Sequence, residues 1–404
     1  MVMFRRKESG AVSLFIVVFA MLLITIVTLS FLRLMLRDQS QASTGDLSQS
    51  AYDSALAGTE DAKRALIYYR TTCGTGDTSA CDTVRNTINS STCNQGLVDV
   101  IEPSSLSANG VQVQQSQSTG DSALNQAYTC VLMQLDTPSY VATLSPNSSR
   151  LVPLLSTSDY TTIKLEWYTT EDLGKTSGSV NLEPKSPVST DTTTGNVIRP
   201  LLSQNSWPST RPPMLRAQLM QFGASPASTF KLTDFDNAQS NGTSGSNTIF
   251  LYPLGTTGSN AAVTPDTWNF SRDARKVPVG APVGTSCVGQ ISGGGYACTA
   301  NITLPTALGN NPGDNSRVAY LRLTSLYKST HFRVTMVGTN FKAVQPIVDS
   351  TGRANDQYRR TQTYIDLYDT NFPFPEAAVD VSGNICKNFL VTEDVNSFST
   401  ECNP

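Results

Sequence analysis

Twenty-two residues near the start of the chain, 11–32, carry no charge and only four polar side chains, Ser13, Thr25, Thr28 and Ser30. At about 1.5 Å of rise per residue, this run as an α-helix covers about 33 Å, enough for a hydrocarbon core of about 30 Å. Arg5, Arg6 and Lys7 stand before it, and Arg33 and Arg37 close it. With Glu8 the sole acid, residues 1–37 hold a net +4, which leaves 24 basic against 31 acidic residues, −7, for the rest. Basic residues ahead of a span are held on the cytoplasmic side. The mildly acidic bulk of the 404-residue chain is therefore expected outside the cytoplasm.

Cysteine placement supports that orientation without using hydropathy. All eight cysteines, Cys73, Cys81, Cys93, Cys130, Cys287, Cys298, Cys386 and Cys402, follow the apolar run. An even number outside a membrane reads as a disulfide framework, although eight cysteines allow 105 pairings. Short loops cost least to close, which favours Cys73 with Cys81, Cys93 with Cys130, Cys287 with Cys298 and Cys386 with Cys402. Between Cys287 and Cys298 sits a Gly293-Gly294-Gly295 turn, so that bridge is expected to staple a hairpin. Two-residue spacing between cysteines is absent, which argues against redox catalysis and a zinc ribbon alike. One histidine, His331, is too few for a metalloprotease helix. Charged residues make up only 15%, against about 25% in an average soluble domain, and the net charge of −3 excludes a global polycation for nucleic acid.

The leader itself is informative. Phe4-Arg5-Arg6-Lys7-Glu8-Ser9-Gly10 runs straight into Ala11-Val12-Ser13-Leu14-Phe15. A secretory signal places its small-residue cleavage site after the apolar run, whereas here the small pair Gly10-Ala11 stands before it, and a cut there keeps the apolar helix. This arrangement resembles the class III signal of type IV pilins and type II secretion pseudopilins. The resemblance covers about sixty residues and implies cleavage by a prepilin peptidase between Gly10 and Ala11. It departs from major pilins at the fifth mature position, where they carry glutamate and this chain carries Phe15. That glutamate pairs with a neighbouring subunit's terminal amine, and Phe15 cannot. Its loss, with a bulky exterior part, resembles minor subunits of the tip type.

Helical periodicity continues past the apolar run. Proline is absent from residues 11–101, and Leu47, Ala51, Ala55, Gly58, Ala62, Leu66 and Tyr69 recur at steps of three or four. Asp46, Asp53, Glu60, Asp61, Lys63 and Arg64 occupy most of the remaining surface. A continuous helix from Ala11 to Tyr69 spans about 90 Å, with Gly45 and Gly58 as weak points. Small residues on the stripe would let a sheet pack closely, and they argue against a free coiled-coil stalk.

Beyond Arg70 the pattern turns to β. Strands are expected over 162–168, 215–222, 248–252, 318–326, 332–337 and 363–367, separated by polar connections such as 189–196 and 237–247. Trp207-Pro208 and Arg211-Pro212-Pro213 read as a stiff extended segment, and a weak subdomain boundary falls near residue 205. The chain therefore divides into a leader (1–10), a transmembrane helix (11–36), its amphipathic extension (37–70) and two parts of a β-rich head (71–205 and 206–404). The fold class is α+β, a long N-terminal helix packed on a disulfide-stapled head.

Candidates for chemistry are thin. Asp234, Asp236 and Asn237, and Asn311, Asp314 and Asn315, offer oxygen donors to calcium but fit no twelve-residue loop, and such clusters beside glycine ordinarily make turns. His331 is expected at an exposed strand edge, and no Gly-x-Ser-x-Gly accompanies it. Arg353, Arg359 and Arg360 with Tyr358, and Arg272, Arg275 and Lys276, are the densest basic groups. They could hold a few phosphates, as in DNA-uptake pilins, yet Asp349, Asp356 and Asp366 flank the first set and favour local ion pairs. Tyr296, Tyr320, Tyr327, Tyr364 and Tyr368 keep strand spacing and are expected in or across the core.

The expectation is a non-enzymatic, minor pilin-like subunit in a cell-surface filament for adhesion or motility, anchored first in the inner membrane and needing no cofactor. Its partners are other pilin subunits, prepilin peptidase, the membrane and an unknown surface ligand. The alternatives are a DNA-uptake minor pilin and a membrane-anchored envelope protein or enzyme outside any filament.

Overall fold

A run without proline from residue 11 to residue 101 permits an uninterrupted helix, and in the computed structural model α1 extends over Gly10–Gly74, 65 residues and about 100 Å. The structure describes residues 10–74, 77–101, 106–107, 110–113, 125–184, 189–190, 197–198, 202–222, 245–255, 266–269, 283–308 and 318–368. Two short helices follow, α2 (Thr78–Ile88) and α3 (Gln95–Ile101). Asp77 caps α2, its Oδ1 accepting from the Ala80 amide at 3.0 Å.

The first ten strands are β1 (Leu106–Ser107), β2 (Gly110–Gln112), β3 (Ala127–Gln134), β4 (Ser139–Leu144), β5 (Ser149–Pro153), β6 (Tyr160–Thr169), β7 (Ser177–Ser179), β8 (Glu183–Pro184), β9 (Ser189–Thr190) and β10 (Val197–Ile198). The remainder are β11 (Met214–Phe222), β12 (Gly245–Gly255), β13 (Asp266–Asn269), β14 (Val283–Cys287), β15 (Gln290–Ser292), β16 (Tyr296–Leu308), β17 (Val318–Leu326), β18 (Thr330–Met336), β19 (Ile347–Ala354) and β20 (Gln357–Tyr364). A small sheet has the order β1-β2-β3-β19-β20. A large sheet runs β4-β18-β6-β16-β14-β12-β11-β17-β5, so strands from both sides of residue 205 interleave in it. Its end strands β4 and β5 are consecutive in the chain and meet where the Arg150 Nε donates to the Tyr140 hydroxyl at 2.7 Å. The inside of this curled sheet holds the main core, with Tyr140, Trp167, Phe332 and Phe341 fully buried.

The small sheet grips the lower half of α1. Ala51, Ser54, Ala55, Thr59, Ala62, Ala65, Leu66 and Tyr69 are buried there, and Gly58 with them, which is the stripe read from the sequence with three neighbours added and without Leu47, which is only half-buried. Two hydroxyls on this buried face bond back to their own helix, Ser54 Oγ to the Ser50 carbonyl at 2.9 Å and Thr59 Oγ1 to the Ala55 carbonyl at 3.2 Å. Contact is closest at Gly352 on β19, where an added Cβ would stand 2.1 Å from the Ala51 oxygen and 2.2 Å from the Ala55 nitrogen. Gly58 is similarly tight, its Cβ position lying 2.5 Å from Ser350 Oγ. Behind this seam Leu66, Tyr69, Ile88, Leu97, Tyr128, Val131 and Val348 close a second core shared by all three helices and the sheet.

Two asparagines in the α2–α3 connection stand in for a strand along β3. Asn94 Oδ1 accepts from the Val131 amide at 2.8 Å and its Nδ2 donates to the Thr129 carbonyl at 3.0 Å, while Asn89 Oδ1 accepts from the Leu135 amide at 3.0 Å. The Cys93–Cys130 disulfide pins this alignment, Cys73–Cys81 ties the end of α1 to α2, and Cys287–Cys298 joins residues directly opposite on β14 and β16. Cys386 and Cys402 lie outside the described residues.

Two expectations need correction. The strand placed at 363–367 is β20, Gln357–Tyr364; it overlaps only at its end, because its exposed Tyr358-Arg359-Arg360 stretch lacks apolar alternation. Residues 365 and 367 are instead tied by single amide bonds to Pro346 and Val344. Tyr364 is 43% exposed rather than a core side chain.

The Gly352 contact is backbone against backbone, so no side-chain tip can yield. Gly352→Ala is expected to cost about 3 kcal/mol or more, beyond ordinary overpacking. Gly45→Ala, with nothing within 4 Å of its added Cβ, is expected to gain up to about 1 kcal/mol. Denaturant unfolding of the full chain in detergent measures both; equal effects would contradict the seam.

Candidate functional site

Above the grip, α1 has no partner among the described residues. Every large apolar side chain from Leu14 to Leu36 is at least half exposed, Phe15 most of all at 78%. Phe15, Ile16, Phe19, Ala20, Leu23 and Ile24 line a shallow apolar groove along one side. The polar residues do not interrupt this surface. Thr25 Oγ1 donates to the Met21 carbonyl at 3.0 Å, Thr28 Oγ1 to the Ile24 carbonyl at 2.9 Å and Ser30 Oγ to the Ile26 carbonyl at 2.8 Å. Each hydroxyl is satisfied within the helix, as a lipid environment requires. This helix is long and apolar enough to cross a membrane. It is a membrane anchor or a signal segment, and the disulfides of the head fit an extracytoplasmic domain.

Polar ties lock the head to the lower helix. The Tyr128 hydroxyl donates to Asp61 Oδ2 at 2.8 Å, and burial, reinforced by that carboxylate, drives its pKa well above the ordinary tyrosine value. Arg359 Nε donates to Ser48 Oγ at 2.6 Å and Arg70 to the Leu367 carbonyl at 2.6 Å. Arg85 pairs with Asp136, which also accepts from the Ala343 amide at 3.2 Å.

Gly10 is the first residue of α1 and Ala11 follows it on the same helix. The three arginines of the proposed basic cluster all have partners: Arg360 grips Asp349 with Nε and a terminal nitrogen, Arg359 meets Ser48, and Arg353 donates to Asn125 Oδ1 at 3.1 Å. Arg272, Arg275 and Lys276 lie outside the described residues, as do Asp234, Asp236, Asn237, Asn311, Asp314 and Asn315. No group of three metal-ligating side chains occurs among the described residues.

His331 is not at a sheet edge: β18 lies between β4 and β6. Its Nδ1 sits 2.8 Å from Asp172 Oδ1 and its Nε2 3.3 Å from Glu171 Oε2. Asp172 also accepts from the backbone amides of Thr169 and His331, at 2.8 and 3.0 Å, so it is a bracket between the β6 end and β18. Beside it, Tyr168 and Tyr327 hold φ of 69° and 81°, left-handed conformations that are costly for bulky residues. Tyr327 stacks on Trp207 with ring centres 4.4 Å apart, and burial, with Asp172 nearby, pushes the Tyr168 hydroxyl up to about 12. Nothing in the sequence around these tyrosines signals positive φ.

Comparison with protein-family models, with curated proteins and with solved structures finds no match for this chain.

A buried charge cluster in the large sheet gives a pH test. Glu166 accepts from Arg333 Nε at 2.7 Å and pairs with Lys164 at 2.8 Å. Burial by itself raises its pKa, but the two cations outweigh burial and leave it below the ordinary 4.5. The stabilisation is therefore full above the unfolded value and is lost as pH falls through the lower folded one. Glu166→Gln is expected to cost about 1–3 kcal/mol at pH 7 in urea unfolding, with the gap closing below about pH 4. A gap independent of pH would contradict the cluster's role.

Proposed function

We propose that this protein is a minor pilin-like subunit: a precursor cut between Gly10 and Ala11, held in the inner membrane by α1, then built into a surface filament that displays the β-rich head. The observation that carries this reading is the division of one continuous helix, with the head clasping its lower half and leaving the large apolar side chains from Leu14 to Leu36 exposed. An apolar rod of that length is stable only in lipid or among other apolar helices. A subunit that moves from a bilayer into a helical filament core exchanges one such setting for the other.

Phe15, the most exposed large apolar side chain on the helix among the described residues, supports a terminal position. It offers no carboxylate to a neighbour's amine, so the subunit does not depend on a partner ahead of it. Partners along the shaft would meet the apolar groove from Phe15 to Ile24. The head's role is adhesive rather than enzymatic: among its described residues the buried polar groups act as brackets and ion pairs.

Processing and assembly are tested together by shearing surface filaments from a piliated host expressing the full chain. The wild-type protein is expected in the sheared fraction, and Gly10→Val is expected to strand it in the membrane with at least about a tenfold loss from fibres, since a β-branched residue blocks a glycine-fitted cleft. Equal recovery of both forms from fibres, or of neither, would overturn the assignment.

A further inference from the structure

The small sheet has two faces, and α1 covers only one. On β19 the buried residues Val348, Ser350, Gly352 and Ala354 alternate with Ile347, Asp349, Thr351 and Arg353, which point the other way. Register then places Gln362 of β20, Asp349 of β19 and Leu132 of β3 side by side, with Ile347 opposite Gln134 in the next row. The Asn89-Ser90-Ser91 turn, held against β3 by Asn89, rises along one side. Together they line an open groove of about 460 Å³.

We propose that this groove binds a neutral carbohydrate of one or two rings. Its charges are already spent: Asp349 is held by two nitrogens of Arg360, and Asp136 by Arg85 and the Ala343 amide. An anion finds no free cation here, and a metal finds no free carboxylate. What remains is a mixed set of neutral groups. Asn89 Nδ2, the Ser91 hydroxyl, Gln134 Oε1 and the Gln362 amide have no hydrogen-bond partner among the described residues. Amides and hydroxyls supply donors and acceptors together, which matches sugar hydroxyls that are both. Leu132 and Ile347 give an aliphatic floor for the C–H face of a ring. An extended peptide is a poorer fit, because strands add at a sheet's edge and this groove lies across its face.

The groove belongs to the head, so its occupant does not depend on how the chain is anchored or assembled. The full chain is titrated in an amphipol, because sugar-headed detergents would compete. The probes are neutral disaccharides such as lactose and N-acetyllactosamine, sialyllactose, and an uncharged polar hexapeptide. A neutral disaccharide is expected to saturate with Kd on the order of 1 mM, as suits an open groove. Ser91→Trp, which fills the groove, and Gln362→Ala, which removes an exposed amide, are each expected to weaken it about fivefold or more at an unchanged unfolding midpoint. Asp349→Asn releases the Arg360 charge and is expected to shift preference toward sialyllactose, a change that a merely structural role would not produce. Absence of saturable binding by the neutral probes, binding unaffected by both variants, or binding of the peptide instead would overturn the proposal.

Discussion

The structure depends on one helix that has to satisfy two surroundings at once. Its lower half meets protein so closely that helix backbone touches strand backbone at Gly352, and its upper half meets nothing among the described residues. Alanine, glycine and serine on the lower stripe make the first arrangement possible, because larger side chains would hold the sheet away. Leucine, isoleucine, valine and phenylalanine on every side of the upper half make the second one necessary. Since the helix is continuous, one element carries both the exposed rod and the stripe that the sheet clasps.

Beneath the helix the head is held by more than its apolar core. Disulfides close the α1–α2 corner, the α2–α3 connection to β3, and the β14–β16 pair. Asparagine side chains rather than a strand complete the hydrogen bonding of β3, which leaves a step in the surface and hence the groove. The same economy appears at Asp172, where one carboxylate joins two strand ends and orients the sole histidine.

How much of this was legible in the sequence depends on how local the cause is. The stripe from Leu47 to Tyr69 was readable because helical period is a property of neighbouring residues, and burial from Ala51 to Tyr69 follows it. The strand at 318–326 was readable from its aromatic and branched residues and is β17, Val318–Leu326. Cysteines close in sequence were paired by loop length, and three of those pairs form. What escaped is non-local. Gly352 looks like any loop glycine until β19 is laid on the helix, and Arg359 looks like a free cation until Ser48 is brought beside it. The groove is assembled from residues 89–91, 132–136 and 347–362, the last of these more than two hundred residues from the others, and each segment is unremarkable alone. Tyr168 and Tyr327 adopt left-handed backbone because the sheet around them dictates it, which no neighbour in sequence announces.

The central claim is that the apolar rod stays with the finished molecule while the short basic stretch ahead of it does not. Intact-mass and N-terminal peptide spectrometry of the protein extracted from its native envelope reads this directly. The account predicts a chain that begins at Ala11 and retains the whole of α1 from there. A product that still carries Met1 through Gly10, or one that begins beyond residue 36, contradicts it.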